Sequence, residues 1–313
     1  MSASYIAAKV LRCLVTLFLA VTFVFIVLRL SGDPAQRMFS DDADASVVAA
    51  YREIWGLDKS LPEQFLRYII SVLHGDFGIS LRDNRPATLV VAERLPATLA
   101  LGSLALALTI LIGIPAGIFA ALNKGKWVDR ATMSATILGH SLPNFFLGIL
   151  LILSFSMTLR WLPSSGIGSW QHLVMPTVTL GTAFAGTVAR FTRSSMLEVL
   201  DQPFMRTARA KGVNERNRVL RHALPNAAIP IVTVIGLRLG ALVGGATIVE
   251  TVFGYPGVGL LLVNSVAQRD LAIVQAVVLL IAFTMVVVNL VVDLTYGWLD
   301  PRIAALEERE AAV

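Results

Sequence analysis

The sequence predicts an all-α protein, a polytopic bundle of six membrane-spanning helices. Three observations carry that prediction. The 313 residues are 56% hydrophobic and only 15% charged, with a mean hydropathy of +0.72. A water-soluble domain keeps a mostly polar surface, so this much apolar side chain calls for lipid around it. The apolar residues gather in stretches of about 20, the length a helix needs to cross a hydrocarbon core of roughly 30 Å. The Lys and Arg residues sit at the ends of those stretches, on alternating connections. That placement also accounts for the net charge of +5, without nucleic acid as a partner.

The first span is Val10–Leu30, with Lys9 and Arg12 ahead of its uninterrupted apolar run. Its apolar run of about 18 residues is long for a signal peptide, and Leu-Ser-Gly-Asp-Pro after it offers no small-x-small cleavage site, so it reads as a retained span. Residues 31–94 form an external segment with two helix-like stretches, Ala45–Trp55 and Pro62–Leu73, the second stopping at His74-Gly75. Thr98–Leu122 and Met133–Leu159 are the second and third spans, and Leu173–Ala189 is the fourth, shorter and less apolar. Ala228–Phe253 and Leu271–Trp298 complete the six. Pro115, Pro143 and Pro176 lie in or near spans and are expected to kink them.

Lys124, Lys126 and Arg130 follow span two. Arg190, Arg193, Arg206, Arg209, Lys211, Arg216, Arg218 and Arg221 follow span four. The opposite connections carry Arg160 in one and Arg269 beside Asp270 in the other. This asymmetry puts both termini in the cytoplasm. Cys13 is the single cysteine, so the chain forms no internal disulfide.

The connection between spans four and five, about residues 190–227, carries a local design. Asp201 can cap a helix, Pro203 fits its first turn and Gly212 suits a left-handed stop. Arg209 and Lys211 fall at its C-terminal end, where cations complement the helix dipole. The predicted helix, about nine residues and roughly 13 Å long, sets Phe204, Thr207, Ala208 and Lys211 on one face. Asn214 caps a second helix that runs to a break at Pro225. Such a knob suits docking against another protein, and it equally suits a solvated basic loop that fixes topology and touches anionic lipid.

The spacing Arg206-Thr207-Ala208, three residues, Gly212, nine residues, His222-Ala223-Leu224-Pro225 resembles the coupling loop of ATP-binding-cassette importer permeases. In that family the loop reads Glu-Ala-Ala, three residues, Gly, nine residues, Ile-x-Leu-Pro. Arg206 and His222 depart from it, in the manner of the dipeptide/oligopeptide/nickel branch. Further segments similar to that branch's first permease run along the chain: Leu61-Pro62-Glu63-Gln64, His74 to Ser80, Arg94-Leu95-Pro96-Ala97-Thr98, Ser141 to Phe145, Glu250-Thr251-Val252-Phe253 with Pro256-Gly257-Val258-Gly259, and Asp300-Pro301-Arg302.

The resemblance implies the type I importer permease fold, with residues 95–298 as the permease domain and 299–313 as a cytoplasmic tail. It implies that Phe204, Met205, Arg206, Thr207, Ala208, Arg209, Ala210, Lys211 and Gly212 form the helix that couples to an ATPase. The implied partners are a second homologous permease, two ATPase subunits, a periplasmic binding protein and membrane lipid, in a bacterial inner membrane. No phosphate-cradling Gly-x-x-x-x-Gly-Lys-Ser/Thr loop is present, so nucleotide chemistry is expected on a partner, with no catalytic residue, cofactor or metal in this chain. The expected cargo is di- or oligopeptides, with nickel chelates, glutathione or another small solute as alternatives. A secondary transporter would need midspan acids, and a rhomboid-like protease a Gly-x-Ser-x-Gly nucleophile paired with a midspan His. The sequence supports neither.

Within the spans, Arg238 stands near the middle of span five, where a cation is costly unless it meets water or a partner. It either faces the translocation path and attracts a carboxylate, or pairs with an interior acid or carbonyls. His140 and Asn144 are further candidates for the path. Gly236, Gly240 and Gly244, four residues apart, suit a close helix–helix contact, moving or static.

Overall fold

A computed structural model describes residues 3–30, 44, 46, 58–80 and 82–299. The expected helix Ala45–Trp55, apart from Ser46, and the segment Asp300-Pro301-Arg302 lie outside the described residues. The helices, in chain order, are α1 (Ala3–Leu30), α2 (Leu61–Leu73), α3 (Ala87–Leu122), α4 (Trp127–Ser141), α5 (Asn144–Leu151), α6 (Gln171–Leu200), α7 (Pro203–Ala210), α8 (Glu215–Asn217), α9 (Leu224–Val252), α10 (Val258–Ala267) and α11 (Leu271–Leu299). Two π-helical stretches extend them: Ile152–Thr158 continues α5, and Arg218–Ala223 joins α8 to α9.

Among the described residues, five helices are long and apolar enough to cross a membrane, and α4 with α5 makes a sixth crossing if the bent pair is one span. That pair bends by 97°. The cause is local: Pro143 forces Leu142 out of the helical region, and Leu142 adopts φ −79°, ψ 125°. Pro115 and Pro176, by contrast, are carried inside continuous helices. The fourth span differs from its expected length, since α6 runs on through Arg190 and Arg193 to Leu200. Those cations belong to a helix and not to a loop, because no glycine or proline interrupts residues 190–200 and Met196 packs into a buried cluster there.

The bundle centres on α3 and α6, which run parallel. On α3 the buried positions Leu101, Ala105, Thr109, Gly113, Gly117 and Ala121 recur every fourth residue, so one narrow stripe of mostly small side chains faces α6. A Cβ at Gly117 would lie 2.5 Å from the Ala189 carbonyl oxygen and 2.5 Å from Thr192 Cβ, and one at Gly181 would lie 3.0 Å from the Ala105 oxygen. Backbones this close gain dispersion contacts that lipid cannot replace. Thr109 Oγ1 adds a buried hydrogen bond, donating to the Gly181 carbonyl at 2.9 Å.

The chain has a basic end, where α1 begins and α3 stops, and an opposite end. At the opposite end α2 lies against α1 through Phe25, whose ring is 5.2 Å from Phe65 and 5.5 Å from Tyr68. The Tyr68 hydroxyl is buried there with no hydrogen-bond partner among the described residues, and burial pushes its phenol pKa upward. His74 ends α2 and Gly75 turns the chain with φ +71°.

Candidate functional site

At the basic end, α7 forms a short prominence. Gln202, not Asp201, precedes its first turn in extended conformation, with Pro203 at the start. Asp201 is instead the last helical-conformation residue of α6, because α6 extends to Leu200 and absorbs it. The helix closes by a Schellman motif: the Gly212 amide donates to the Arg209 carbonyl at 3.0 Å and the Val213 amide to that of Ala208 at 3.1 Å. Gly212 takes φ +75°, a left-handed conformation that a side chain would strain.

Within α7 only Met205 is buried. It packs into a cluster with Met196 of α6, Val219 and Ala223 of the π-helical stretch, and Ala227 and Ile231 of α9. Phe204, Arg206, Thr207, Arg209, Ala210 and Lys211 are exposed and Ala208 is half-buried. A single methionine therefore ties the prominence to the bundle, while its free side presents an aromatic ring among cations. Sequence periodicity points to the Phe204 face and leaves Met205 unremarked.

The Asn214 side chain accepts from the Asn217 amide at 2.8 Å and so caps α8. No break follows at Pro225. The widened turn of Arg218–Ala223 frees the Arg221 carbonyl from the proline ring, and the helix continues into α9. Nearby, Arg193 of α6 makes a bidentate ion pair with Asp129 of α4, at 2.5 and 2.7 Å. The Gly125 amide also donates to that carboxylate. This clamp joins α4 to α6.

The path candidates are not brought into one described site. Asn144 begins α5, half-buried, at the bend after Pro143. The side chains of His140 and Arg238, and the surroundings of Gly240, lie outside the described residues. A Cβ at Gly236 would sit 2.5 Å from Val292 Cγ2, so Gly236 marks a close contact of α9 with α11. For Gly244, among the described residues, nothing beyond its chain neighbours and its own helix backbone lies within 4 Å of such a Cβ. Among the described residues no group of three or more His, Cys, Asp or Glu is placed to hold a metal ion.

At the opposite end a carboxylate is wholly buried. Glu250 Oε1 accepts from Thr98 Oγ1 at 2.7 Å, and Oε2 accepts from the Gly259 and Leu260 amides at 2.7 and 3.1 Å. Thr98 Oγ1 in turn accepts from the Val258 amide at 2.8 Å. Glu250 thus caps α10 and ties it to α3 and α9. Gly257 is required beside it, since a Cβ there would lie 2.2 Å from Oε1. The adjoining Tyr255 phenol is pushed up in pKa by burial and by the Glu250 charge. A second staple lies close by: Ser80 Oγ donates to Asp270 Oδ2 at 2.5 Å, holding the loop before α3 to the start of α11.

Residues 113–305 match the family of binding-protein-dependent transport system inner membrane components. The chain belongs to this family. Residues 3–102 match the corresponding N-terminal membrane-component family. The glutathione transport system permease protein GsiC of Salmonella paratyphi A is 46% identical over 301 residues, covering 96% of this chain and 98% of its own. Its counterpart from Escherichia coli K12 is 44% identical over the same length. Two crystal forms of the MetNI methionine ABC transporter, in inward-facing conformations, share the fold at TM-scores of 0.56 and 0.57, with 18% and 19% identity. Each covers 68% of this chain and 97% of the matched one. The protein is thus a multi-pass inner-membrane permease subunit of an ABC importer, of the dipeptide/oligopeptide branch. Subunits of this kind work with other permease, ATPase and binding-protein components.

Proposed function

We propose that the permease forms one half of a translocation path for short peptides, with α7 as its ATPase-coupling helix. The observation that carries this reading is α7 itself: anchored through Met205 alone, it leaves Phe204, Arg206, Arg209 and Lys211 free to seat on another protein. An exposed aromatic ring flanked by arginines has the composition of a protein–protein contact. The basic end is then cytoplasmic, as the Lys/Arg asymmetry favours, and both termini lie there. Two ATPases closing on ATP draw two such helices together, one from this chain and one from a homologous permease. The five-helix domain of residues 95–298 rocks between inward-open and outward-open states. A periplasmic binding protein delivers cargo at the opposite end.

Glutathione is itself a tripeptide, and the names of the relatives at 44–46% identity favour it as the cargo among short peptides. Competition between glutathione and di- or oligopeptides for uptake into proteoliposomes tests that choice. Reversing Arg206, Arg209 and Lys211 to glutamate tests the coupling role. Uptake is expected to vanish, and the ATPase subunits to elute apart from the permease. Retained uptake with the ATPases still bound would sink the reading.

Arg238 is proposed to face the path and attract the cargo's carboxylate. Arg238→Gln is then expected to raise the apparent KM for anionic cargo by about tenfold, since one charge-assisted contact of roughly 1.5 kcal/mol is lost. Unchanged transport of every substrate removes the assignment.

A further inference from the structure

Asp129 lies in the first turn of α4 and is 4% exposed, yet its charged partner comes from another helix. Arg193 reaches it from the polar extension of α6, with Nε on one carboxylate oxygen and a terminal nitrogen on the other. Such a fork fixes both the distance and the angle between the two groups. A second fixed point stands one heptad away on each helix, from Asp129 on to Thr136 and from Arg193 back to Gly186: a Cβ at Gly186 would lie 2.9 Å from the Thr136 carbonyl oxygen. Together the two points oppose sliding or swivelling of α4 on α6. A buried ion pair gains little stability over an apolar pair of similar volume. What it adds is one permitted geometry, and that calls for a use beyond holding the fold.

The use follows from what lies on either side. Toward the basic end, α6 continues to Leu200, and Asp201 and Gln202 alone separate it from α7. Met205 of α7 and Met196 of α6 share one buried cluster, so a push on α7 is a push on the end of α6. In the other direction, α4 runs to Ser141 and meets α5 through Leu142 and Pro143, both non-helical, with ψ of 125° and 138°. Two such residues between helices bent by 97° have the form of a hinge. Past the hinge, α5 leans on α9 instead, where a Cβ at Gly148 would lie 3.1 Å from Val252 and 3.2 Å from Phe253. The hinge therefore joins a segment clamped to α6 near α7 with a segment seated toward the opposite end. Asn144, a candidate for the path, is the first residue of α5.

We propose that Arg193 and Asp129 are positioning residues that pass the movement of α7 to the Leu142-Pro143 hinge, so that the bent span moves in step with the ATPases. The inference rests on the coupling role of α7 proposed above. The test follows two rates in proteoliposomes holding the complete transporter: ATP hydrolysis stimulated by cargo-loaded binding protein, and cargo uptake. Asp129→Leu with Arg193→Met replaces the pair by apolar side chains of similar volume, a change that leaves stability near or above that of the wild type. This double variant should keep its unfolding temperature and hydrolyse ATP, yet use at least about ten times more ATP per cargo molecule. Arg193→Lys keeps the charge without the fork and should fall between the two. A role in holding the fold would lower both rates in parallel and leave their ratio unchanged. Alkylation of Leu142→Cys, in a Cys13→Ser background, reads the hinge directly. With the pair intact its rate should differ between nucleotide-free transporter and transporter trapped with ATP and vanadate. In the double variant the two rates should coincide.

A double variant with the wild-type ratio of ATP to cargo overturns the proposal. So does a Leu142→Cys rate that is the same in both states with the pair intact, or a parallel loss of hydrolysis and uptake in every variant. The coupling reading fails by a separate result: uptake that survives reversal of Arg206, Arg209 and Lys211 removes it, and this inference falls with it.

Discussion

Replacing Met205 by aspartate is expected to abolish uptake while leaving the membrane bundle folded. Met205 is 5% exposed, and among the residues of α7 it alone enters the cluster of Met196, Val219, Ala223, Ala227 and Ile231. Truncating such a side chain costs about 2–5 kcal/mol, and an unpaired carboxylate in its place costs more. The bundle is held elsewhere, by the α3–α6 seam and by separate clusters, so the loss falls on the docked position of α7 alone. A penalty of 3 kcal/mol or so lowers the docked population on the order of a hundredfold. Thermal unfolding of the purified permease should shift by no more than about 2 °C, while uptake and binding-protein-stimulated ATP hydrolysis disappear. Met205→Leu conserves volume and should retain most activity. Wild-type uptake by Met205→Asp would show that α7 transmits nothing.

What the sequence shows of this architecture divides by range. The spans follow from apolar length, and the bend at Leu142-Pro143 follows from a proline that excludes helix at the residue before it. The stop of α7 is equally local, since Gly212 alone accepts the left-handed turn. The extension of α6 is not visible as a span, because residues 190–200 are too polar for lipid and continue as helix only by packing Met196 onto α7 and the π-helical stretch. The choice of Met205 over Phe204 as anchor depends on the same packing. Neither side chain differs enough in apolar character to announce it. The polar contacts are the least legible: Thr98 and Glu250 lie 152 residues apart and Asp129 and Arg193 lie 64 apart, and nothing in one sequence pairs them. The motif segments around Thr98, Glu250 and Gly257 stand out as a resemblance, and only the fold shows that all three meet at one carboxylate.

That carboxylate gives the second large effect. Every polar group facing the Glu250 oxygens is a donor: the Thr98 hydroxyl and the amides of Gly259 and Leu260. Glu250→Ala leaves these donors buried without an acceptor, at about 1–3 kcal/mol each. Since Thr98 can turn its hydroxyl elsewhere, the two amides set a loss of the order of 4 kcal/mol. Glu250→Gln supplies one oxygen for the amides but turns an NH₂ toward Thr98, so it should fall between alanine and wild type. Gly257→Ala attacks the same node from the other side, by placing a methyl group 2.2 Å from Oε1. The damage should concentrate on α10, whose first turn loses its cap and its link to α3. Accessibility of a cysteine introduced at Ser265, buried on α10, should therefore rise in Glu250→Ala before the unfolding temperature of the whole protein does more than drop by several degrees. Equal stability and equal labelling in Glu250→Ala and wild type would mean that α10 is held by its apolar face alone, through Val258 against Ile273 and Val277.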